Sequence, residues 1–207
     1  MSVAPAGWMV ASYLVGAIPT SHLVSRTFAK IDLRQHGSGN LGATNLYRVL
    51  GWKYAVPVAL FDIAKGAIPV LVFAPRVSTS EIYALACGVA AIIGHVFSVF
   101  VGFKGGKGVA TAAGVMLALT PLALGVAAAV WGIVVMLTGY VSLASIAAAA
   151  VLPVAVYLLE PPDIPQLLWI DVLIAVGVIV LHRRNIERLL KGTENRFGRR
   201  TASAPRP

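Results

Sequence analysis

The stretch that decides the fold is VATAAGVMLALTPLALGVAAAVWGIVVMLTGYVSLASIAAAAVLPVAVYLL, residues 109–159, which contains no charged residue and no histidine. A helix needs roughly 20 apolar residues to cross a bilayer. A single crossing would leave about thirty of these residues without a place in the hydrocarbon core, more than ordinary tilt accommodates. Three crossings of about 16 residues each fit, with turns at 121–122 and 138–140, where Pro and Gly interrupt the run.

The rest of the chain has the same character. Of its 207 residues, 58% are apolar and 12% are charged, and the mean hydropathy is +0.82. Soluble domains carry roughly 25% charged residues, so a water-facing surface could not be built from this composition. Further apolar runs occupy residues 7–24, 54–73, 82–101 and 167–181. The one cysteine, Cys87, lies inside an apolar run, so no disulfide is expected.

The net charge of +9 is distributed as expected for a membrane protein, and this argues against a nucleic-acid binder. Basic residues gather in three segments, 26–53, 104–107 and 183–206, while Glu160, Asp163 and Asp171 share the other long polar loop. The positive-inside rule then places the basic segments in the cytoplasm and the acidic loop outside. The chain must therefore cross the membrane an odd number of times within residues 109–159. The length of that stretch favours three crossings over one. The prediction is an all-α bundle of seven transmembrane helices, with the N-terminus outside and the C-terminus cytoplasmic.

The predicted domain organisation is simple. Residues 1–195 form one membrane domain, and residues 196–207 form a basic, disordered cytoplasmic tail.

The first basic segment contains HGSGNLGATNLYR at residues 36–48. Its glycines allow tight turns that present main-chain N–H groups. Ser38, Asn40, Thr44 and Asn45 add small hydrogen-bonding side chains, and Arg48 adds a bidentate cation. A helix that begins near residue 43 would direct its N-terminus at a bound anion. The alternative is a glycine-rich surface turn, which the density of polar groups disfavours.

The second and third basic segments have the same features. Residues 102–111, GFKGGKGVAT, place four glycines around two lysines ahead of a helix, which suits a phosphate although the Walker A spacing is absent. Residues 182–194, HRRNIERLLKGTE, place His182 and Asn185 one turn apart on a helix that leaves the membrane. A short basic loop and a helix touching anionic headgroups are the alternatives. His95, at the end of an apolar run, is more typical of a packing or interfacial histidine than of a ligand.

Asp62 and Lys65 are spaced i, i+3 within an apolar run, and we expect them to form a structural ion pair. No metal-ligand spacing, nucleophile elbow or catalytic cysteine is found in the sequence. An anion site on one membrane face is therefore predicted, with chemistry that depends on positioning and charge. The residues alone leave three classes open: an enzyme, a transporter of phosphorylated solutes, and a membrane scaffold.

The three segments resemble, in order, the signature motifs of the acyl-phosphate-dependent glycerol-3-phosphate acyltransferase (PlsY) family of bacterial phospholipid synthesis. The resemblance spans nearly the whole chain and includes residues 62–66 and 140–145. One departure is Gly139, where a basic residue is expected in many members.

The resemblance implies the function. Members transfer a fatty acyl group from acyl-phosphate to glycerol-3-phosphate, form no acyl-enzyme, and release 1-acyl-glycerol-3-phosphate and phosphate at the bacterial inner membrane. It implies no metal or other cofactor, and it allows a soluble acyl-phosphate-forming enzyme as a partner. The implied catalytic residues are Ser38, Arg48, Lys107, His182 and Asn185. The implied substrate-binding residues are Gly37, Gly39, Asn40, Thr44, Asn45, Lys104, Gly105, Gly106, Ser142 and Ser145.

Overall fold

A computed structural model describes residues 5–160 and 165–197, and these residues contain helices and loops but no β-strand. The α-helices are α1 (Pro5–Ala17), α2 (Thr20–Ala29), α3 (Ala43–Leu50), α4 (Trp52–Ile68), α5 (Glu81–Val96), α6 (Val109–Leu119), α7 (Pro121–Thr138), α8 (Val141–Leu159), α9 (Pro165–Leu181) and α10 (Arg183–Leu190). A π-helical turn (Pro69–Phe73) and a 3₁₀ turn (Ala74–Arg76) extend α4, and a 3₁₀ turn (Val99–Val101) follows α5. The chain forms two compact units, which meet in sequence between Ala118 and Leu119.

In the first unit, glycines allow close helix crossings. A methyl group at Gly16 of α1 would overlap the carbonyl oxygen of Ala91 on α5, and one at Gly94 of α5 would overlap that of Tyr13. Helices approach this closely in membranes when small residues face each other, because hydrophobic burial alone does not drive their association there. The crossing of α1 and α5 thus depends on two glycines, one from each helix.

The pair α4 and α6 repeats this arrangement. A β-carbon at Gly66 would collide with the carbonyl oxygen of Thr111, and a β-carbon at Gly114 would collide with that of Ile63. Helix α6 is therefore seated on α4, and the loop that precedes α6 is held close to the buried middle of α4.

The apolar run 7–24, predicted as one span, is two helices. Helix α1 ends at Ala17, and Pro19 precedes α2, since proline has no N–H to continue the ladder. The carbonyl oxygen of Ile18 at the break accepts hydrogen bonds from the Thr20 N–H (3.0 Å) and from Lys65 Nζ (2.9 Å). The break is thus satisfied by a side chain from α4.

In the second unit, α8 packs against α7 and α9. The predicted division of residues 109–159 into three helices is confirmed, with lengths of 11, 18 and 19 residues. The first break lies at Thr120, one residue before the predicted turn, because Pro121 begins α7. The second lies at Gly139, whose φ of 73° is the left-handed cap conformation that glycine adopts readily.

Within residues 5–160 and 165–197, four helical segments are long and apolar enough to cross a membrane: Trp52–Arg76, Glu81–Val101, Pro121–Thr138 and Val141–Leu159. Helix α9 joins them as a fifth if it is counted with α10, from which it is bent by 55°. The expected all-helical membrane fold is confirmed at this level. The seven-helix count and the orientation of the termini stay predictions.

One detail differs from the expectation, one lies outside the described residues, and one concerns the start of the predicted tail. Asp171 was assigned to the acidic loop but lies within α9 and is fully buried. Asp163 lies outside the described residues. The chain is bound to the second unit as far as residue 197, since the Phe197 N–H donates to the carbonyl oxygen of Gly139 at 2.7 Å.

Candidate active site

The loop at residues 36–40 is shaped by its glycines and by one asparagine. Gly37 and Gly39 have φ values of 62° and 72°, in the left-handed region that other residues rarely adopt. The Ser38 N–H donates to Asn45 Oδ1 at 2.8 Å, and Asn45 Nδ2 donates to the carbonyl oxygens of His36 and Asn40, each at 3.0 Å. Asn45 is buried, and its amide is engaged by the loop's own main chain. It therefore fixes the loop from beneath.

Helix α3 follows this loop as predicted, and Gly42 is its N-cap residue. Thr44 and Arg48 are one turn apart on it, so they share a face. Arg48 is only 6% exposed. A guanidinium held this deeply keeps its charge and loses little freedom when it binds an anion.

An acidic residue, Asp32, lies within the same basic segment, 26–53. Arg34 and Arg26 form ion pairs with its carboxylate at 2.7 and 3.2 Å, and the side-chain hydrogen bonds of Arg34 hold the pKa of Asp32 well below its usual range. Two of the five basic residues of this segment are therefore neutralised locally, whereas Arg48 belongs to the predicted site.

The loop 104–108 before α6 is seated on the last turn of α5. The Gly105 N–H donates to the carbonyl oxygen of Val96 (3.0 Å), and the Gly106 N–H donates to that of His95 (3.1 Å). These two N–H groups are engaged by protein, so the glycines support the loop through their main chain. Lys104 is exposed and Lys107 is half-buried.

The loop 36–42, which precedes α3, and the loop 104–108 meet at Gly106. A β-carbon on Gly106 would lie 2.9 Å from the carbonyl oxygen of Leu41 and would overlap His95 Nε2. The first two predicted motifs are therefore brought together in one unit, and the contact requires a residue without a side chain.

The predicted ion pair inside the first unit is confirmed. Lys65 Nζ lies 2.7 Å from Asp62 Oδ1, and the two side chains are 1% and 3% exposed. Thr20 Oγ1 also donates to Asp62 Oδ1, at 3.2 Å. The pair ties α4 to the start of α2.

In the second unit, one carboxylate organises the predicted residues. Glu194 Oε1 accepts from Ser142 Oγ at 2.9 Å and from Asn185 Nδ2 at 2.8 Å, while Glu194 Oε2 accepts from Arg188 Nε at 2.6 Å. Burial opposes ionisation of Glu194, but hydrogen bonds from Asn185, Arg188 and Ser142 outweigh it and lower the pKa of Glu194. The negative charge therefore fixes the orientation of a serine and an asparagine from two different helices.

His182 lies at the bend between α9 and α10. It is the N-cap residue of α10, so the continuous helix expected across this boundary is wrong. Its Nδ1 lies 2.8 Å from the carbonyl oxygen of Val178. Because a carbonyl only accepts, Nδ1 carries the hydrogen in this contact, and a neutral ring then has its lone pair on Nε2. The Asn185 N–H donates to the His182 carbonyl oxygen at 2.8 Å, which keeps the two residues one turn apart.

Ser145 is less accessible to a ligand than predicted. Its hydroxyl donates to the carbonyl oxygen of Val141 at 2.8 Å and accepts from Trp131 Nε1 at 3.3 Å. At Tyr140, the N-cap residue of α8, the Arg196 guanidinium lies 5.1 Å from the centroid of the aromatic ring. Arg196 thus places a cation next to Gly139, where the family resemblance predicts a basic residue.

Sequence reasoning missed Glu194 and Arg188 as site-forming residues. The signal available in the sequence was Glu194 itself. It ends the strongly basic segment 182–194, where a carboxylate is expected to pair with a basic side chain. Within the described residues, no group of three His, Cys, Asp or Glu side chains is arranged to hold a metal.

Comparison with known proteins supports the same class of protein. The family model described as glycerol-3-phosphate acyltransferase matches residues 6–192. A glycerol-3-phosphate acyltransferase of Trichlorobacter lovleyi is 50% identical over 190 residues, which cover 92% of this chain and 96% of that protein. Glycerol-3-phosphate acyltransferase 2 of Bacillus anthracis is 47% identical over 189 residues, covering 91% and 97%.

A solved structure shares the fold. The crystal structure of PlsY (YgiH), an integral membrane glycerol 3-phosphate acyltransferase in its glycerol 3-phosphate form, superposes with a TM-score of 0.87 at 38% identity, covering 95% of this chain and 96% of that one. The lysophosphatidic acid form gives a TM-score of 0.84 at 37% identity over the same shares of the two chains.

The fold is that of a multi-pass membrane acyltransferase. This chain belongs to the glycerol-3-phosphate acyltransferase family, and the family predicted from its motifs is confirmed.

Proposed function

We propose that this protein transfers a fatty acyl group from acyl-phosphate to glycerol-3-phosphate, giving 1-acyl-sn-glycerol-3-phosphate and inorganic phosphate. The observation that carries the proposal is the likeness to PlsY in its glycerol 3-phosphate form, which extends over 95% of the chain at 38% identity. The reaction would be the first acylation step of bacterial phospholipid synthesis.

The acceptor's hydroxyl attacks the donor directly. The glycerol-3-phosphate oxygen forms an ester bond to the acyl carbonyl carbon, and the bond between that carbon and the phosphate oxygen breaks. Phosphate leaves with the electron pair and accepts the hydroxyl proton. Because phosphate is already a good leaving group, the protein needs to supply only position and positive charge.

The serine contacts support direct attack over an acyl-enzyme. The hydroxyls of Ser142 and Ser145 donate to the Glu194 carboxylate and to a main-chain carbonyl oxygen. Neither contact is the serine–histidine pair that activates a nucleophilic serine.

The donor site is proposed in the first unit. Ser38, Asn40 and Thr44 line the loop that Asn45 fixes, and they hold the acyl-phosphate head group. Gly37, Gly39, Gly105 and Gly106 give the two loops the main-chain geometry that brings these side chains together. Lys107 neutralises the phosphate as negative charge develops on the leaving oxygen, and Lys104 attracts the anions.

The residues that the family resemblance implies for the acceptor, glycerol-3-phosphate, are Arg48, Lys107, Ser142, His182 and Asn185. Asn185 and Ser142 are preorganised because both already donate to Glu194. His182, with its hydrogen on Nδ1, is the alternative acceptor of the hydroxyl proton.

The donor is tested with detergent-purified protein supplied with glycerol-3-phosphate and either palmitoyl-phosphate or palmitoyl-CoA. We expect phosphate release and lysophosphatidic acid only with palmitoyl-phosphate. Turnover with the CoA donor would keep the acyltransferase class and overturn the proposed donor. If neither donor reacts in folded protein, a transporter of phosphorylated solutes is the reading to test.

The site assignment is tested with charge-matched lysines. Lys107→Ala should lower kcat/KM at least about 100-fold, which corresponds to about 2.7 kcal/mol. Lys53→Ala removes an exposed lysine of the same basic segments and should stay within twofold of wild type. Full turnover by Lys107→Ala or by Asn185→Ala would contradict the assignment.

We also propose seven membrane spans in one domain, residues 1–195, with the N-terminus outside and the polar loops facing the cytoplasm of a bacterial inner membrane. The three basic segments support this orientation. In a Cys87→Ser background, Ser2→Cys and Ser80→Cys should react with an impermeant maleimide in intact cells. Lys53→Cys and Thr201→Cys should react only after permeabilisation, and the reverse pattern would overturn the orientation. A soluble acyl-phosphate-forming enzyme on the cytoplasmic side is the proposed partner.

A further inference from the structure

The loop 104–108 is held by contacts that the proposed reaction does not explain. Its two glycine N–H groups donate to the carbonyl oxygens of Val96 and His95 at the end of α5. Lys107 follows directly, so the position of its main chain depends on how the two glycines are seated.

The His95 ring borders the space that Gly106 occupies. A β-carbon on Gly106 would overlap His95 Nε2 and lie 2.9 Å from the carbonyl oxygen of Leu41. The main chain at Gly106 therefore occupies a narrow slot bordered by the His95 imidazole and by Leu41 of the loop 36–42. Any displacement of the ring changes the width of that slot.

Behind the imidazole lies the buried ion pair. His95 Nδ1 is 4.0 Å from Asp62 Oδ1, and Asp62 is held in turn by Lys65 Nζ at 2.7 Å. Lys65 reaches across to the carbonyl oxygen of Ile18 at 2.9 Å. His95 is 7% exposed, and its Nδ1 has no hydrogen-bond partner within residues 5–160 and 165–197. The His95 ring therefore lies between the Asp62–Lys65 ion pair and the loop 104–108.

This cluster is an expensive way to fill space. Burying an ion pair costs more desolvation than an apolar replacement of the same volume would, and such a replacement often stabilises a protein. In a membrane, ionisable side chains away from water usually mark function. Here the cluster lies directly beneath the loop that presents Lys107.

We propose that His95, braced by the Asp62–Lys65 pair, is a positioning residue that sets the main chain at Gly105 and Gly106 and thereby places Lys107 on the substrate phosphate. The proposal deepens the proposed function and rests on it. His95 itself does not touch the substrate.

The test compares three variants by steady-state kinetics and by calorimetric binding of glycerol-3-phosphate. His95→Ala removes the imidazole next to Gly106. The double variant Asp62→Leu with Lys65→Met replaces the ion pair behind the imidazole with apolar side chains of similar volume. Leu85→Ala is the matched control, since Leu85 is buried on the same α5 and lies ten residues before His95.

We expect His95→Ala to raise both the KM and the Kd for glycerol-3-phosphate at least tenfold, with kcat within about threefold of wild type. The double variant should show the same KM effect with a melting temperature equal to or above wild type. His95→Gln, which keeps a polar side chain of similar reach, should recover most of the affinity. Leu85→Ala should lower the melting temperature and leave KM and Kd unchanged.

Two results separate the possible failures. If His95→Ala lowers the melting temperature as Leu85→Ala does and leaves KM and Kd unchanged, His95 only fills space and the inference is overturned. If wild-type protein does not use palmitoyl-phosphate, the proposed function fails. The calorimetric Kd still tests the inference then, because it needs no donor. Should His95→Ala not fold, the double variant provides the same comparison.

Discussion

The two units hold their predicted site residues in different ways. In the first unit, the loops 36–42 and 104–108 depend on main-chain geometry. Gly37 and Gly39 have positive φ, and the contact at Gly106 leaves no room for a side chain. In the second unit, Ser142, Asn185 and Arg188 are oriented by the charge of Glu194.

The difference has a physical cause and separate consequences. A site shaped by close main-chain packing tolerates no added volume, whereas a charge-centred network tolerates changes in volume but not the loss of its carboxylate. Substitutions that add volume should therefore impair the first unit, and substitutions that remove charge should impair the second.

The largest effect is expected for Gly106→Ala. The added methyl group would collide with His95 and approach Leu41, so we expect kcat/KM to fall at least about 100-fold. Gly132→Ala in α7 is the control, since a β-carbon there meets nothing within 4 Å and it should stay within twofold of wild type. An active Gly106→Ala enzyme would show that the slot is not rigid.

The next effect is expected for Glu194→Gln. The substitution keeps the size but removes the charge that pairs with Arg188 and orients Asn185, so we expect a loss of about 2 kcal/mol of stability and at least a tenfold fall in kcat/KM. Glu187→Gln is the control, because Glu187 forms an exposed pair with Lys191 worth about 0.5 kcal/mol or less. Equal melting temperatures for the two variants would mean that the network does not organise the unit.

The buried carboxyl groups of the two units should respond in opposite directions. Asp62 is paired with Lys65, whereas neither carboxylate oxygen of Asp171 has a hydrogen-bond partner in the described part of the chain. Asp62→Asn leaves a buried lysine uncompensated and should cost about 3 kcal/mol. Asp171→Asn removes an unpartnered acid and should stabilise the protein by about 1 kcal/mol. Thermal denaturation in one detergent measures both, and destabilisation by Asp171→Asn would reveal a partner for that carboxyl group.

A smaller effect concerns pH. The pKa of Glu194 is lowered in the folded protein, so the stability from its ionised form is present above its unfolded pKa of about 4.3. That stability is lost as pH falls through the lower folded value. The difference in melting temperature between wild type and Glu194→Gln should therefore shrink below about pH 4.3. A difference that is constant from pH 7 to pH 3.5 would show that charge does not hold the network.

The smallest effect is expected for Arg196→Ala. The guanidinium lies over the Tyr140 ring in an exposed position, where such a contact contributes about 0.5 kcal/mol. We expect a slightly lower melting temperature, with exposed Arg184→Ala as the control. If the KM for glycerol-3-phosphate also rises, Arg196 takes part in binding the acceptor.

Much of the candidate site could be predicted because its signals are local. Glycines in loops, small polar side chains and an arginine one turn after Thr44 are visible as short motifs. The functions of Asn45 and Gly106 could not be read this way, because each depends on which atoms lie within a few ångströms of it. Glu194 was missed for the same reason: its partners Ser142 and Asn185 are 52 and 9 residues away in sequence.

The sequence by itself determined the environment and the class of this protein. Its apolar composition requires a membrane, its proline and glycine breaks divide residues 109–159 into three helices, and its motifs identify the family. These features follow from the solvation and dihedral preferences of individual residues, which need no knowledge of distant neighbours.

Only the tertiary structure decided how the parts are held. It divided residues 7–24 at Pro19, where the Ile18 carbonyl oxygen accepts a hydrogen bond from Lys65, and it buried Asp171 within α9. It also placed His95 against Gly106 and gathered three donors on Glu194. These outcomes depend on close approach between segments far apart in the chain, since hydrogen bonds and steric contacts act over a few ångströms and sequence spacing does not encode them.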